Sequence, residues 1–373
     1  MENRRLYYVD WLRVLVILSL VPFHAALTYL RYGDVYIKAP VTGAAAIPFM
    51  IITTLLSDFF MTLLFFLSGI ASFYSIKARD IPHYINERVR KLLLPLLLGT
   101  LFLCPIQAYY KGIYEGFQGS LIQFIPRFFS KIVYYMGYAH LWFLLYLFVF
   151  SLICVPLFQR WQKDEGRIGR IGDFLLRGSH MLLPFAAVIL LEILLRPFFH
   201  SAQTLIMDWA NDAVYLSVFL FGYVFAADKR IQVRLGSYYA LSKIVGILSL
   251  ALLMFVNFEN AVIGSDAIYL TVLWAIGKGF YECSAIVFLI CFGQKHLNRG
   301  GRAIGLLNRS SFTIYIFHFL PVTFFTYLSL RLGISIYLRY LLVVLLSYLS
   351  VFALSGLILL LKKKTILKIT GRS

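Results

Sequence analysis

Ten apolar runs divide this chain, most of them close to twenty residues long, and nothing else in it limits the possible folds so severely. They lie at roughly 11–31, 46–76, 92–110, 139–158, 181–199, 213–227, 241–257, 268–292, 311–330 and 336–361. A helix needs about 20 apolar residues to cross ~30 Å of hydrocarbon. Within that layer every backbone polar group must be paired internally, which leaves helices or closed barrels. The runs are continuous and Leu-rich and lack the alternation of barrel strands. With 61% hydrophobic and 14% charged residues, the 373-residue chain has little left for anything else. The expected fold class is all-α: a polytopic transmembrane helical bundle of about ten spans with no soluble domain. Residues 1–373 read as one membrane-embedded domain with a short cytoplasmic tail from about 362. The first run has no small-residue cleavage site and reads as the first span, not a removed signal peptide.

The formal net charge of +18 would suit nucleic acid, but its placement follows topology instead. Basic residues crowd alternate connections: Lys77, Arg79, Arg88, Arg90 and Lys91, then Arg160, Lys163, Arg167, Arg170 and Arg177, then Lys229, Arg230 and Arg234, then Lys295, Arg299, Arg302 and Arg309. The fifth and seventh connections hold no Lys or Arg, only Asp208, Asp212, Glu259 and Asp266. The positive-inside rule then puts both termini, with Arg4 and Arg372, on the cytoplasmic side of an inner (cytoplasmic) membrane. The same cations would meet membrane lipid or phosphate. No nucleic-acid partner is expected. Cys104, Cys154, Cys283 and Cys291 sit inside apolar runs without metal spacing. They read as reduced, packed thiols, and no metal site is expected.

The first run carries ionisable residues in "YVDWLRVLVILSLVPFHAALTYL" (Tyr8–Leu30). Arg13 and His24 are eleven residues apart, so at 100° per residue they point the same way, ~16 Å apart along the axis. Asp10 precedes Arg13 by three and joins that face. Such residues in a membrane usually face the bundle interior or a water-filled cavity. The bland alternative is an Arg13 that snorkels to the headgroups and a His24 bonded to a neighbouring helix.

Arg, ten residues, then His on the first helix resembles the signature of integral membrane acyltransferase family 3. "LFFLSGIA" (Leu64–Ala71), "RVRKLLLP" (Arg88–Pro95), "HLWFL" (His140–Leu144) and "SSFTIYIFH" (Ser310–His318) are similar to the family's further motifs, in order along essentially the whole chain. Lys91 stands where the family more often has Arg. The "PFH" form of the first motif resembles the branch that succinylates periplasmic glucans. Some members carry an extra extracytoplasmic hydrolase-like domain, for which this chain has no room after the tenth run.

The resemblance implies an O-acyltransferase that moves an acyl group, of acetyl or succinyl type, from acyl-CoA to a hydroxyl of an extracytoplasmic glycan or glycolipid. Acyl-CoA is a co-substrate, and no cofactor is expected. The catalytic residues would be His24, as general base, and Arg13, holding phosphate or a carbonyl oxygen. Arg88, Lys91 and Asp10 would bind the donor, although positive-inside charge also explains Arg88 and Lys91. Ser311, Tyr315 and His318 fall at i, i+4 and i+7 and share a face, as site lining or as hydrogen-bonded helix glue, with Ser311 alternatively a helix cap.

His140 and Trp142, at the end of the third connection, join the site candidates because they match the family's "HLWFL" motif. That segment is dense in aromatics (Tyr109, Tyr110, Tyr114, Phe117, Tyr134, Tyr135, Tyr138) and reads as a sugar platform or as an interfacial belt. Lys278 and Glu282 are further candidates, but i, i+4 pairing also lets them neutralise each other, as Glu192 and Arg196 can. Ser68 and Gly69 read as packing residues. A transporter or flippase of a lipid-linked sugar or acyl carrier, without chemistry, would also need intramembrane charges. It usually shows paired interrupted helices in two related halves, and no such repeat is visible here.

Overall fold

The computed structural model describes residues 5–370, apart from 136, 200–202 and 261–266. Arg4, Asp266 and Arg372 of the charge pattern lie outside the described residues. The protein is all-α, with no strand among the described residues. In chain order its main helices are α1 (Tyr7–Leu27), α2 (Gly43–Ala78), α3 (Ile81–Tyr114), α4 (Ala139–Ile153), α5 (His180–Leu195), α6 (Trp209–Ala227), α7 (Tyr239–Phe258), α8 (Ile268–Leu297), α9 (Arg302–Phe317), α10 (Phe319–Ser329) and α11 (Ile336–Thr370). Seven of these are each long and apolar enough to cross a membrane: α1, α2, α3, α6, α7, α8 and α11. Three bent pairs bring the number to ten if each is one span: α4 with Val155–Lys163 at 45°, Gly166–Leu175 with α5 at 103°, and α9 with α10 at 55°. This is a multi-pass membrane protein.

Several boundaries differ from the pattern of apolar runs. The third helix begins at Ile81, so the basic segment with Arg88 and Lys91 is helical and not a loop. Its π-helical turns at Val89–Leu93 and Gly99–Leu103 flank Pro95 and Pro105, which cannot donate to the ordinary ladder. The ninth helix begins at Arg302, which leaves Ser311 in mid-helix. Its hydroxyl donates to Asn308 O at 2.9 Å and caps nothing. The backbone of the last helix continues to Thr370, where a tail was expected.

The chain groups into two compact units. Unit 1 comprises residues 1–52, 98–140 and 299–373, and unit 2 comprises 53–97 and 141–298. In unit 1, α1 packs on α9, α10 and α11. Pro22 lies inside α1 and has no N–H, so the carbonyl of Leu18 loses its helical donor. Tyr348 of α11 replaces it, its hydroxyl donating to Leu18 O at 2.7 Å. Tyr340, two turns away, reaches Pro22 O at 3.4 Å. The proline thus becomes an attachment point two residues before His24. Leu341, Leu345, Leu349, Phe352 and Leu357 of α11 are exposed, apolar surface suited to lipid.

In unit 2, α8 packs on α5 and α7, and α5 on α6. Helix α2 approaches α6 through two glycines. A β-carbon on Gly69 would lie 2.1 Å from Phe219 O, and one on Gly222 would lie 2.1 Å from Phe66 O. Neither position admits a side chain, so "LFFLSGIA" does pack closely at Gly69. The four cysteines are free; three are buried and Cys291 is half-buried.

Candidate functional site

Three of the seven histidines gather in unit 1. The ring centroids of His24 and His318 are 5.3 Å apart, and those of His140 and His318 are 4.9 Å apart. The bend between α9 and α10 organises them. Pro321 denies Phe317 O its helical donor, and the chain turns by 55° at His318. Near this bend, His140 Nε2 donates to Ile316 O at 2.9 Å and His318 Nδ1 donates to Tyr315 O at 2.8 Å.

A carbonyl can only accept, so these bonds set the tautomers. His140 carries its proton on Nε2 and His318 on Nδ1. The other nitrogens, His140 Nδ1 and His318 Nε2, are buried lone pairs without a hydrogen-bond partner, and His24 Nδ1 is likewise buried without one. Tyr315 steadies the arrangement, its hydroxyl donating to His140 O at 2.7 Å. The face shared by Ser311, Tyr315 and His318 is indeed buried, with exposures of 4%, 3% and 0%. Among the described residues, no group of three or more His, Cys, Asp or Glu is arranged to hold a metal ion.

His24 also borders a small cavity, together with Thr28, Tyr36, Phe319, Thr323 and Thr326. Sequence reasoning missed these residues. A signal for part of the wall exists: Thr28 follows His24 by four, and Phe319, Thr323 and Thr326 fall at i, i+4 and i+7. Tyr36 lies outside any helix, and no periodicity marks it.

Toward the start of α1, Asp10 lies 2.7 Å from Arg5 Nε and 3.9 Å from Arg13 Nη1. Asp10 thus lies between the two guanidinium groups as their shared counter-ion. Arg13 keeps 32% side-chain exposure. Arg88 and Lys91 belong to unit 2 and differ sharply. Arg88 lies over the Tyr84 ring at 4.6 Å and donates to Ser72 Oγ at 3.4 Å, with Nε buried and unbonded. Lys91 is 67% exposed and pairs with Glu87, which also binds Arg79.

Lys278 and Glu282 form part of a larger buried network in unit 2. Lys278 Nζ donates to Glu282 Oε1 at 2.6 Å and also to Glu192 Oε1. Glu192 in turn accepts Arg196 Nε at 2.8 Å, and Arg196 Nη2 donates to Asn211 Oδ1 at 2.7 Å. Asn211 Nδ2 donates to Asp208 Oδ2 at 2.6 Å, and Thr62 Oγ1 donates to Glu282 Oε1 at 2.7 Å. The two pairs seen in sequence are therefore one connected set. Trp142 is also in unit 2, packed 5.2 Å from Tyr146 and 5.9 Å from Tyr215, as a core residue.

The aromatic third connection has a small core of its own. A helix, Leu121–Ser130, opens with a capping box between Ser120 and Gln123. Its Phe124 and Phe128 are fully buried with Tyr135, whose hydroxyl accepts Arg127 Nε at 3.1 Å. Tyr114 and Tyr134 stay exposed at 45% and 53%.

The family profile described as an acyltransferase domain, that of acyltransferase family 3, matches residues 6–360. No curated protein and no solved structure matches the chain. The match runs through the segments of both units and covers the imidazole cluster, the cavity and the Asp10–Arg13 pair. The chain therefore belongs to acyltransferase family 3 and is a multi-pass membrane acyltransferase.

Proposed function

We propose that this protein moves a short acyl group from a cytoplasmic acyl-CoA to a hydroxyl of an extracytoplasmic glycan or glycoconjugate. It works in the inner membrane with both termini cytoplasmic, an orientation supported by the alternation of basic connections. The observation that carries the reading is the imidazole cluster: buried ring nitrogens without hydrogen bonds beside a cavity, in a family of acyltransferases. A neutral imidazole with a bare lone pair is what a general base requires. His24 takes the proton of the attacking hydroxyl and passes it to the leaving thiolate. His318 and His140, each donating its ring N–H to a backbone carbonyl, pack beside it. Arg13, three residues from its counter-ion and toward the cytoplasmic end of α1, holds a phosphate or carbonyl oxygen of the donor.

The test is a mass comparison of surface glycans and glycolipids from cells with and without the protein. The expected result is one acyl mass gained on one polymer or glycolipid. Unchanged masses together with a lipid-linked sugar displaced across the membrane would instead favour a flippase.

A further inference from the structure

The cavity beside His24 contains a second group without an evident structural use. Tyr36 is 3% exposed, and its hydroxyl is buried without a hydrogen-bond partner. A buried hydroxyl left unpaired loses its hydration without a replacement bond, so it is either a defect of packing or a place kept for a ligand. Its surroundings favour the ligand. The Tyr36 ring lies 5.5 Å from Phe319, whose ring lies 4.4 Å from His24. Tyr36 and His24 thus pack on one phenyl ring and border the same small cavity. Thr323, a neighbouring hydroxyl, is already committed, donating to Phe319 O at 2.9 Å.

Resting on the acyl-transfer reading above, we propose that this cavity receives the acyl carbonyl and that the Tyr36 hydroxyl donates a hydrogen bond to its oxygen. The acceptor oxygen bonds to the carbonyl carbon while its proton passes to His24. The π electrons move onto the carbonyl oxygen, where Tyr36 O–H meets the developing negative charge and keeps its own proton. When the C–S bond breaks, the electron pair returns to re-form C=O and the thiolate takes the proton from the His24 imidazolium. A preorganised donor aimed at a developing oxyanion is worth most in such an enclosed, low-dielectric site.

The chemistry of the space also selects the acyl group. No Lys, Arg, Asp or Glu lines it. A carboxylate-ended acyl group would be left unpaired there, so neutral groups are preferred over succinyl.

The experiment uses the full-length protein with acetyl-, propionyl- and succinyl-CoA, each carrying ¹³C at the thioester carbonyl. Label transfer is followed in vesicles of the host membrane, and infrared difference spectra are taken of the purified protein with bound donor. Tyr36→Phe keeps the ring on Phe319. It is expected to lower transfer ~10²–10³-fold, with a much smaller loss of donor affinity. The carbonyl band of the bound thioester should lie below that of free thioester in alkane, and should rise in Tyr36→Phe. A wild-type band without that downshift overturns the assignment whatever the variant does. Full transfer by Tyr36→Phe, beside an active wild type, overturns the role of Tyr36 alone. A wild type that binds none of the thioesters overturns the acyl-transfer reading and this proposal with it.

Discussion

The imidazole cluster of unit 1 and the charged network of unit 2 treat buried polarity in opposite ways. In the network, two cations, Lys278 and Arg196, stand among the carboxylates of Glu192, Glu282 and Asp208, and almost every polar atom is used. Arg196 Nη1 lacks a hydrogen bond but still lies 3.6 Å from Asp208 Oδ1. Glu282 Oε2 and the nearby Asp58 Oδ2 are the other unbonded oxygens. In the cluster, His140 and His318 each have one nitrogen tied to a backbone carbonyl, and one nitrogen of each of the three rings is left bare. A bare neutral nitrogen costs far less to bury than a bare charge. A membrane protein can therefore keep imidazoles unsaturated for chemistry, whereas its buried ions are held by opposite charges beside them even where single atoms lack a hydrogen bond. The cluster is read as reactive and the network as structural on this ground.

The largest effect that would break the comparison is at His24. His24→Ala is expected to lower the transfer rate by ~10²–10⁴-fold with normal folding and near-normal donor affinity. His24→Gln should be nearly as inactive, because an amide cannot act as a base. Turnover and donor binding on purified variants decide it, and an active His24→Gln protein would make the cluster as structural as the network.

Next in size is the network itself. Glu192→Ala leaves Arg196 and Lys278 without their shared carboxylate. Removing one partner of a buried ion set typically destabilises by ~3–5 kcal/mol. Thermal unfolding in detergent should show a large drop, while activity per folded molecule stays near wild type. Normal melting with lost activity would move Lys278 and Glu282 into the reactive class.

Arg13 tests a half-exposed ion between these extremes. Arg13→Ala should weaken donor binding by one to two orders of magnitude, from charge-assisted bonds of ~1.5–3 kcal/mol. Arg13→Lys should retain part of that binding, since a cation remains. Calorimetric titration with the donor measures both, and equal binding by all three proteins would leave Arg13 a snorkelling residue.

The smallest effect belongs to an ion pair at the end of a span. Asp228 caps the helix Lys229–Gly236, accepting Arg230 N at 2.9 Å, and Arg230 also reaches Asp173 at 2.7 Å. The hydrogen bonds from the Arg230 side chain, and then its N–H, hold the Asp228 carboxyl below its usual range. A depressed carboxylate contributes stability above its unfolded pKa of ~3.9 and loses it as pH falls through the lower folded value. Asp228→Ala should cost about 1 kcal/mol at neutral pH. Its melting should converge with wild type as pH falls below ~4. A difference that persists in acid would show that Asp228 acts through packing and not through its charge.

The helices and their order were legible because hydrocarbon permits so few backbone solutions, and apolar length is written directly in the sequence. Their breaks were less so. The ninth run is continuous in hydropathy, yet it bends at His318 because of one proline. That bend turns a residue read as lining into a partner of His24. The alignment of Arg13 with His24, and the shared face of Ser311, Tyr315 and His318, followed from helical spacing alone. The placement of Trp142 did not, because aromatic density looks the same in a core and at a surface.

What the amino-acid sequence determined by itself was a membrane-spanning all-α chain, its family, and the residues bearing charge inside apolar runs. These depend on composition, period and local motif, which are properties of neighbours along the chain. Tertiary structure alone decided that His24, His140 and His318 meet, that Lys278 reaches Glu192, and that Tyr36 borders the His24 cavity. The partners within each of these groups are separated by up to about three hundred residues in sequence. Their meeting depends on helix breaks and close approaches, such as those at Pro22, Gly69 and Pro321, whose consequences appear only when the helices pack.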